Sequence, residues 1–230
     1  MERLMELKEM LEARIGLPRP SFCELVVKLM ERNIGVGLRV LAGYYNVPPP
    51  MISVDDEVEG LQHRTIILSP YPQLRAILRQ FFHYLVCVKQ IDVTRFDKDL
   101  LAEIFAYSFC NRTSVHSDAR LMAIIPSDTQ RLYIFAYPNP LVCYELLCTL
   151  EKDVQYGLFL LSAYYDVEIP KLGVDLPNNL SIAELLKSFY CYAVEKKGFE
   201  RLKRKAESFA QEIMARAGSV APLKEEYDGT

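Results

Sequence analysis

The chain has 230 residues, half of them hydrophobic and a quarter charged, which leaves room for one large domain or two small ones. Its net charge of -3 argues against a general binder of nucleic acid or anionic membranes, because such binders need positive charge to displace counterions. No apolar run is long enough to span a membrane, and residues 1–16 have an amphipathic helix pattern rather than that of a secretory signal. We therefore expect a cytoplasmic protein without membrane association.

The apolar pattern of the first 112 residues predicts an α+β fold that is mostly helical. Apolar side chains recur at the three- and four-residue spacing of a single buried helix face, and prolines start or stop two of the helices. Two short runs rich in β-branched residues are typical of strands, and an acidic turn separates them. In chain order we expect helices at 1–16, at 21–32 and up to about residue 45, strands at 51–54 and 65–68 around a turn at 55–60, and helices at 71–88 and 97–110.

The chain contains an internal repeat. Residues 18–55 align without a gap on residues 138–175, and 13 of the 38 aligned positions are identical. Unrelated segments of average composition would share roughly two or three. The similarity resumes further on, where ILRQFFHYLV matches LLKSFYCYAV at 185–194 and AEIFA matches AESFA at 206–210. Three blocks in the same order indicate a tandem duplication.

The repeat suggests a division of the chain into four parts. Residues 1–112 form the first unit with its N-terminal helix, and residues 138–217 form a second unit. The second unit is about a dozen residues shorter at the place where the second strand is expected, so that strand is expected to be absent. Residues 113–137 connect the units through two candidate strands, LMAII and RLYIFAY, and residues 218–230 are too poor in apolar side chains to order themselves.

The helix expected at 71–88 carries a degenerate metal-binding pattern. Residues 79–83 read R-Q-F-F-H, where a zinc peptidase has H-E-x-x-H, with two histidines one turn apart facing one metal ion. Two interpretations of His83 stay open. It is either a hydrogen-bonded core histidine or a metal ligand that acts together with Cys87 and Glu103.

The order of these elements resembles the small zincin-like metallopeptidases of the ImmA/IrrE type, also called minigluzincins. The resemblance is carried by TIILS, RAILRQFFHYL and AEIFAYSF in the first unit, and by LLKSFYCYAV with AESFAQEI in the second. It covers residues 18–110 and, more faintly, 138–214. It implies that each unit is a small zincin-like fold of helices and a short twisted sheet.

In the first unit, the resemblance assigns the family's functional positions to four residues. The first metal histidine falls on Arg79, the general-base glutamate on Gln80, the second histidine on His83, and the third ligand on Glu103. A zinc peptidase needs three protein ligands and a carboxylate that takes the proton of the bound water. The first unit keeps two ligands at most and has an amide in place of the base.

In the second unit, the same four positions are held by Lys187, Ser188, Cys191 and Glu207, so this copy has no histidine at all. We therefore expect neither unit to catalyse by the family mechanism and neither to require a cofactor. The acidic third-ligand position is unchanged in both units, while a cation stands at the first-ligand position. Because a buried carboxylate without a partner is costly, we expect a direct contact from Arg79 to Glu103 and one from Lys187 to Glu207. If the first pair is well buried, Arg79→Met should cost about 3–5 kcal/mol.

Three functional hypotheses follow, each from a different class. The first is a non-catalytic zincin-like module that binds or regulates a peptide or a partner protein. The second is a divergent zinc metallopeptidase that uses His83 and Glu103. The third is a nucleic-acid-binding accessory protein, and self-association into a homo-oligomer is left open. The third hypothesis rests on a basic run near the C-terminus: Lys196, Lys197, Arg201, Lys203, Arg204 and Lys205.

Overall fold

The computed structural model describes residues 2–55, 59–121 and 137–220, and for residues 2–6 and 8 it describes the backbone alone. The chain forms two compact units, Met1–Ile125 and Pro126–Thr230. Helices dominate both units, and the strands of the described residues form a small three-stranded sheet. The protein is therefore a mostly helical α+β protein, as the sequence predicted.

In the sequence of the first unit, the three strands of the small sheet lie between one pair of helices and the next. Each helix and strand predicted for residues 1–110 is present, with ends shifted by a few residues. One strand, β2, was not predicted. The elements are α1 (Glu2–Arg14), α2 (Pro20–Arg32), α3 (Ile34–Tyr44), β1 (Met51–Val54), β2 (Gly60–Gln62), β3 (Thr65–Leu68), α4 (Leu74–Lys89) and α5 (Lys98–Cys110).

The sheet has the order β1-β3-β2, with β3 at its centre. β1 runs parallel to β3 and β2 runs antiparallel to it, so Ile66 lies opposite both Ile52 and Leu61. The connection between β2 and β3 consists of His63 and Arg64, and both have positive φ. Positive φ at both residues of a two-residue turn matches the right-handed twist of the flanking strands. The residues found at these two positions are usually Asn-Gly or Asp-Gly. Gly60, which the sequence placed in the turn at 55–60, is instead the first residue of β2.

The second unit repeats the helix order of the first. Among its described residues, the segment between α7 and α8 contains no strand, only an isolated bridge between Leu172 and Leu176. The candidate strands at 121–125 and 131–137 lie outside the described residues except for Leu121 and Tyr137, and so does the tail after residue 220. The elements are α6 (Pro140–Lys152), α7 (Val154–Tyr165), α8 (Ile182–Lys196), a 3-10 helix (Glu200–Lys205) and α9 (Ala206–Gly218).

The first helix pair of each unit turns at a single polar residue. Asn33 ends α2 in an extended conformation, and its side chain accepts a hydrogen bond from the backbone N–H of Val36 in α3. Asp153 does the same between α6 and α7, accepting from Tyr156. Both residue types are preferred N-caps because their side-chain oxygens satisfy a free helical N–H. The sharp corner between the helices is thus encoded locally in both units.

Each unit packs its last two helices around one tyrosine. In the first unit the Tyr45 ring lies 6.0 Å from that of Phe81 and 6.4 Å from that of Phe105. In the second unit the Tyr165 ring lies 6.0 Å from Phe189 and 5.7 Å from Phe209. The phenylalanines are all nearly fully buried, and tilted ring pairs at these spacings stabilise a core beyond their buried area.

The N-termini of α4 and α8 are satisfied in different ways. In the first unit, residues after α5 reach back, and the carbonyls of Ala119 and Ser117 accept the N–H groups of Leu74 and Arg75. In the second unit, Ser181 and the residue at the third helical position, Glu184, form a capping box. Residues 114–121, which the sequence assigned to the connection, therefore make hydrogen bonds within the first unit.

No helix in the described parts of the chain combines the length and the apolar character that crossing a membrane would require. The most apolar helices of the two units, α3 and α7, have 11 and 12 residues. A membrane-spanning helix needs about 20 consecutive apolar residues.

Candidate functional site

The facing sides of α4 and α5 carry the charged residues that the sequence singled out. Arg79 and Glu103 form the expected ion pair, with Arg79 Nε 3.1 Å from Glu103 Oε2. Arg75, one helical turn before Arg79, lies 3.3 Å from the other carboxylate oxygen of Glu103. Both oxygens of the residue at the third-ligand position are therefore next to a guanidinium group.

The pair is less buried than the sequence argument supposed. The side chains of Arg79 and Glu103 are 39% and 37% exposed. Arg79 Nε makes no hydrogen bond of acceptable geometry, so the contact with Glu103 is a charge contact rather than a directed bond. Solvent screening makes such pairs worth about 0.2–1 kcal/mol. The expected cost of 3–5 kcal/mol for Arg79→Met was conditional on burial and does not apply here.

His83 contacts a different carboxylate from the one the resemblance assigned. Its Nε2 lies 3.3 Å from Asp99 Oδ1, and its side chain is only 14% exposed. Burial lowers the pKa of His83 below its usual value, and the positive charges of Lys98 and Arg79 lower it further, while Asp99 acts in the opposite sense. The geometry is that of a mostly buried, neutral histidine beside a surface carboxylate.

The described residues contain no cluster of three histidine, cysteine or acidic side chains that could hold a metal ion. Cys87, considered from the sequence as a partner of His83, is exposed. Gln80 is half-buried on the same helix. A carboxylate flanked by two arginines is a poor metal ligand, because the cations compete for the same lone pairs.

The second unit keeps the ion pair but not its surroundings. Lys187 Nζ contacts Glu207 Oε2, the pair expected from the sequence, and Glu207 is more exposed than Glu103. The counterpart of Arg75 in the alignment is Ala183, so Glu207 lacks a second cation at that place. The remaining positions, Ser188 and Cys191, are half-buried on α8.

Ser188 and Cys191 line a cleft of about 600 Å³. On one side the cleft is lined by α8, and on the other by residues 175–177 of the loop before α8. The lining residues are Asp175, Leu176, Pro177, Ser188, Cys191, Tyr192, Glu195 and Lys196. Two of the four degenerate motif positions of the second unit thus line an open concave surface, which is the usual form of a ligand site.

A second cleft of about 380 Å³ adjoins the first, since Pro177 lines both. Its lining includes Val154 at the start of α7 and Leu185 on α8. The complete lining is Val154, Leu172, Pro177, Asn178, Asn179, Leu180 and Leu185. Val154, Leu172, Leu180 and Leu185 contribute aliphatic side chains to this lining, while the two asparagines supply hydrogen-bonding groups.

Two arginines outside the motif were missed by the sequence analysis. Arg112, just after α5, donates from Nη1 to the carbonyl oxygen of Pro18 at 2.7 Å. Arg216 in α9 donates from Nη1 to the carbonyl oxygen of Pro138 at 3.1 Å. Continuing the last repeat block by six residues would have aligned the two arginines. Arg75 and Asp99 were also missed, although each lies four residues before a motif position and hence on the same helix face.

The basic run near the C-terminus is partly neutralised by acidic side chains. Lys203 pairs with Glu195, Lys197 pairs with Asp166, and Lys196 lies 3.6 Å from Glu168. Half of the six basic residues proposed as a nucleic-acid surface therefore have acidic partners. Such pairing reduces the positive charge available to phosphates.

Comparison of the chain with protein-family models, curated proteins and solved structures finds no match. What distinguishes the protein is therefore the geometry of its two units. That geometry comprises a cation and a carboxylate at each pair of degenerate ligand positions, and open clefts on the second unit.

Proposed function

We propose that the protein is a non-catalytic zincin-like module, built by tandem duplication, that acts by binding a peptide or a partner protein. The observation that carries the proposal is the ion pair between Arg79 and Glu103. It occupies two positions at which the resemblance expects metal ligands. The same combination recurs as Lys187 and Glu207, which supports replacement of the metal by a salt bridge in each unit.

Contacts shared by the two units support the duplication. The tyrosine and two phenylalanines, the polar residue between the first two helices, and the arginine bound to a proline carbonyl all recur at positions related by the sequence alignment. Glycines recur as well. A Cβ at Gly37 would lie 2.3 Å from Met30 Cγ, and one at Gly157 would lie 2.4 Å from Leu150 Cδ2. Each glycine thus allows the same close helix approach.

Zinc content and peptidase activity of the purified full-length protein test the non-catalytic assignment. We expect no stoichiometric zinc by elemental analysis, and no cleavage of a mixed peptide library. The physical reason is that Glu103 is already held by two arginines and Gln80 cannot accept a proton from water. One tightly bound zinc per chain, lost on changing either His83 or Glu103, would favour the divergent peptidase instead.

A restored motif tests the resemblance itself. The double substitution Arg79→His with Gln80→Glu recreates H-E-x-x-H at residues 79–83 and frees the carboxylate of Glu103 from one cation. We expect this variant to bind one zinc ion per chain, because two histidines one turn apart and a glutamate form a three-ligand site. The matched control is Arg75→His, which also removes a guanidinium from Glu103 but lies outside the motif. Equal zinc uptake by variant and control, or none by either, would contradict a zincin-like arrangement.

A further inference from the structure

The two units differ most in the segment that precedes α4 and α8. Between Val54 and Leu74 the first unit carries strands β2 and β3, whereas the second passes from the counterpart of Val54 to α8 in a much shorter loop. By the sequence alignment, Val154, Leu172 and Leu185 of the smaller cleft correspond to Ile34, Ile52 and Ile77. The cleft is therefore lined by counterparts of residues from α3, β1 and α4.

In the first unit, strand β3 lies against β1 and packs on α4, and its residues Ile66 and Leu68 are fully buried. Ile34 is only 1% exposed, while its counterpart Val154 is 37% exposed. Tyr84 is also buried, and its counterpart Tyr192 is half-buried in the larger cleft. Two of these positions are thus more exposed in the second unit than in the first, and in the first unit β3 is one of the elements that pack on α4.

We propose that the clefts of the second unit bind an extended peptide segment of a partner protein, which takes the place that β3 holds in the first unit. The first unit defines the chemistry of this occupant. The segment carries aliphatic side chains at alternate positions, like Ile66 and Leu68, so that one of its faces contacts the aliphatic side chains of the lining. This inference rests on the proposed function and names its ligand class.

The lining of the clefts suits such an occupant. Val154 and Leu172 offer aliphatic contact, and Asn178 and Asn179 carry amide groups that can pair with a peptide backbone. An added strand gains affinity from main-chain hydrogen bonds and specificity from pockets for alternate side chains. The charged residues of the larger cleft already have partners, since Glu195 pairs with Lys203, Lys196 lies near Glu168, and Asp175 accepts a hydrogen bond from the N–H of Lys171. The clefts therefore favour a neutral, aliphatic segment over a charged one.

The direct test uses the sequence of β3 as the probe. A fluorescently labelled peptide HRTIILSP, corresponding to residues 63–70, is titrated against the full-length protein by fluorescence anisotropy, up to about 1 mM. We expect saturable binding. The control peptide carries Ile66→Ser and Leu68→Ser, and it should bind at least about tenfold more weakly, because burial of the two aliphatic side chains supplies the contact.

A matched pair of protein variants locates the peptide. Leu172→Lys places a charge in the cleft and should weaken binding at least about tenfold, since a buried leucine side chain is worth that much. Val174→Lys, in the same loop but 80% exposed and outside both clefts, should leave the affinity within about twofold. Thermal unfolding of both variants verifies that they fold.

Thiol labelling of the unmodified protein gives an independent measurement that needs no variant. Cys191 lines the larger cleft, whereas Cys87 stands one turn further along the equivalent helix of the first unit and is exposed. Saturating peptide should slow the labelling of Cys191, followed by mass spectrometry of digested protein, and should leave Cys87 unchanged. Protection of Cys191 by raising the protein concentration without peptide would identify a second copy as the occupant and overturn the proposal.

Two other outcomes also overturn the inference. One is the absence of saturable binding, and the other is binding that neither responds to Leu172→Lys nor protects Cys191. Zinc content separates these failures from failure of the proposed function. If the protein is zinc-free and inactive but does not bind the peptide, only the proposal of peptide binding is wrong. If the protein binds zinc and cleaves peptides, the non-catalytic assignment is wrong, whether or not the probe peptide binds.

Discussion

The two units share their helical core but differ in their sheet. Both turn from the first to the second helix at one capping side chain, and both surround one tyrosine with two phenylalanines. Only the first has β2 and β3 between its helix pairs. The comparison teaches that the helix pairs and their aromatic centre recur without a strand between the third and fourth helices, because the described residues between α7 and α8 form none.

The charged positions show the same contrast between a conserved contact and a changed environment. A cation meets a carboxylate across the last two helices of both units. In the first unit a second arginine and a contact between His83 and Asp99 extend this ion pair into a stripe of polar and charged side chains. In the alignment, Lys203 of the second unit corresponds to Asp99 of the first. Lys203 forms an ion pair with Glu195 on α8. The pair is therefore common to both units, while the stripe belongs to one.

The largest expected effect tests whether the aromatic centres are equivalent. Phe81→Ala and Phe189→Ala each remove a fully buried ring beside the central tyrosine, and each should lower the free energy of unfolding by about 3–5 kcal/mol. Denaturant unfolding with hydrogen exchange of α4 and α8 measures the loss in each unit. Tyr107→Ala, at an exposed position of α5, serves as control. A large loss from one substitution and a small loss from the other would break the equivalence.

The repeated glycines should come next in size. A Cβ at Gly157 would lie 2.9 Å from Leu150 Cα, so the backbone must shift, and Gly157→Ala should cost about 1–3 kcal/mol. Gly37→Ala should be costly too, since its Cβ would lie 3.0 Å from the backbone N of Met30. Gly218→Ala meets nothing within 4 Å and provides the control in thermal unfolding. If the two substitutions lower the free energy of unfolding no more than the control does, the helices can move apart at little cost in stability.

The ion pairs are expected to contribute less. Arg79→Met and Glu103→Gln should each lower the free energy of unfolding by about 0.5–1 kcal/mol, because both side chains are more than a third exposed. A double-mutant cycle measures the coupling between them, and a parallel cycle on Lys187 and Glu207 gives the second unit. We expect the first coupling to fall when salt is raised. Purely additive losses in both cycles would show that the paired charges do not stabilise either unit.

The smallest expected effect is the pH dependence of the free energy of unfolding. It distinguishes the two units, because only the first has a histidine at the position of His83. The folded chain lowers the pKa of His83, chiefly by burial, so the unfolded chain binds the proton at higher pH. Stability is therefore retained above the usual pKa of 6.5 and falls as the pH drops toward the lower folded value. Unfolding free energies from about pH 8 to about pH 5 should fall more steeply for the unmodified protein than for His83→Gln. Parallel curves would contradict this.

The sequence by itself determined the helices, two of the three strands and the repeat. Periodic apolar residues and caps such as Asn33 act over a few neighbouring positions, so their consequences are visible without a fold. The alignment also predicted that Arg79 would meet Glu103 and that Lys187 would meet Glu207, since both pairs sit on consecutive helices at matching positions. Strand β2 was invisible, because its hairpin uses His63 and Arg64 rather than the usual turn residues.

Only the tertiary structure decided how exposed each site is and which further groups enter it. The exposure of Arg79 and the second cation at Glu103 depend on how α4 packs against α5. The pairing of His83 with Asp99 depends on the same contact. The clefts of the second unit were not predictable either. A missing strand is visible in the sequence as a gap in the alignment. Whether it leaves open space depends on how far the surrounding side chains close in, and the alignment does not show this. Local patterns specify elements, but burial and open space are properties of the packed whole.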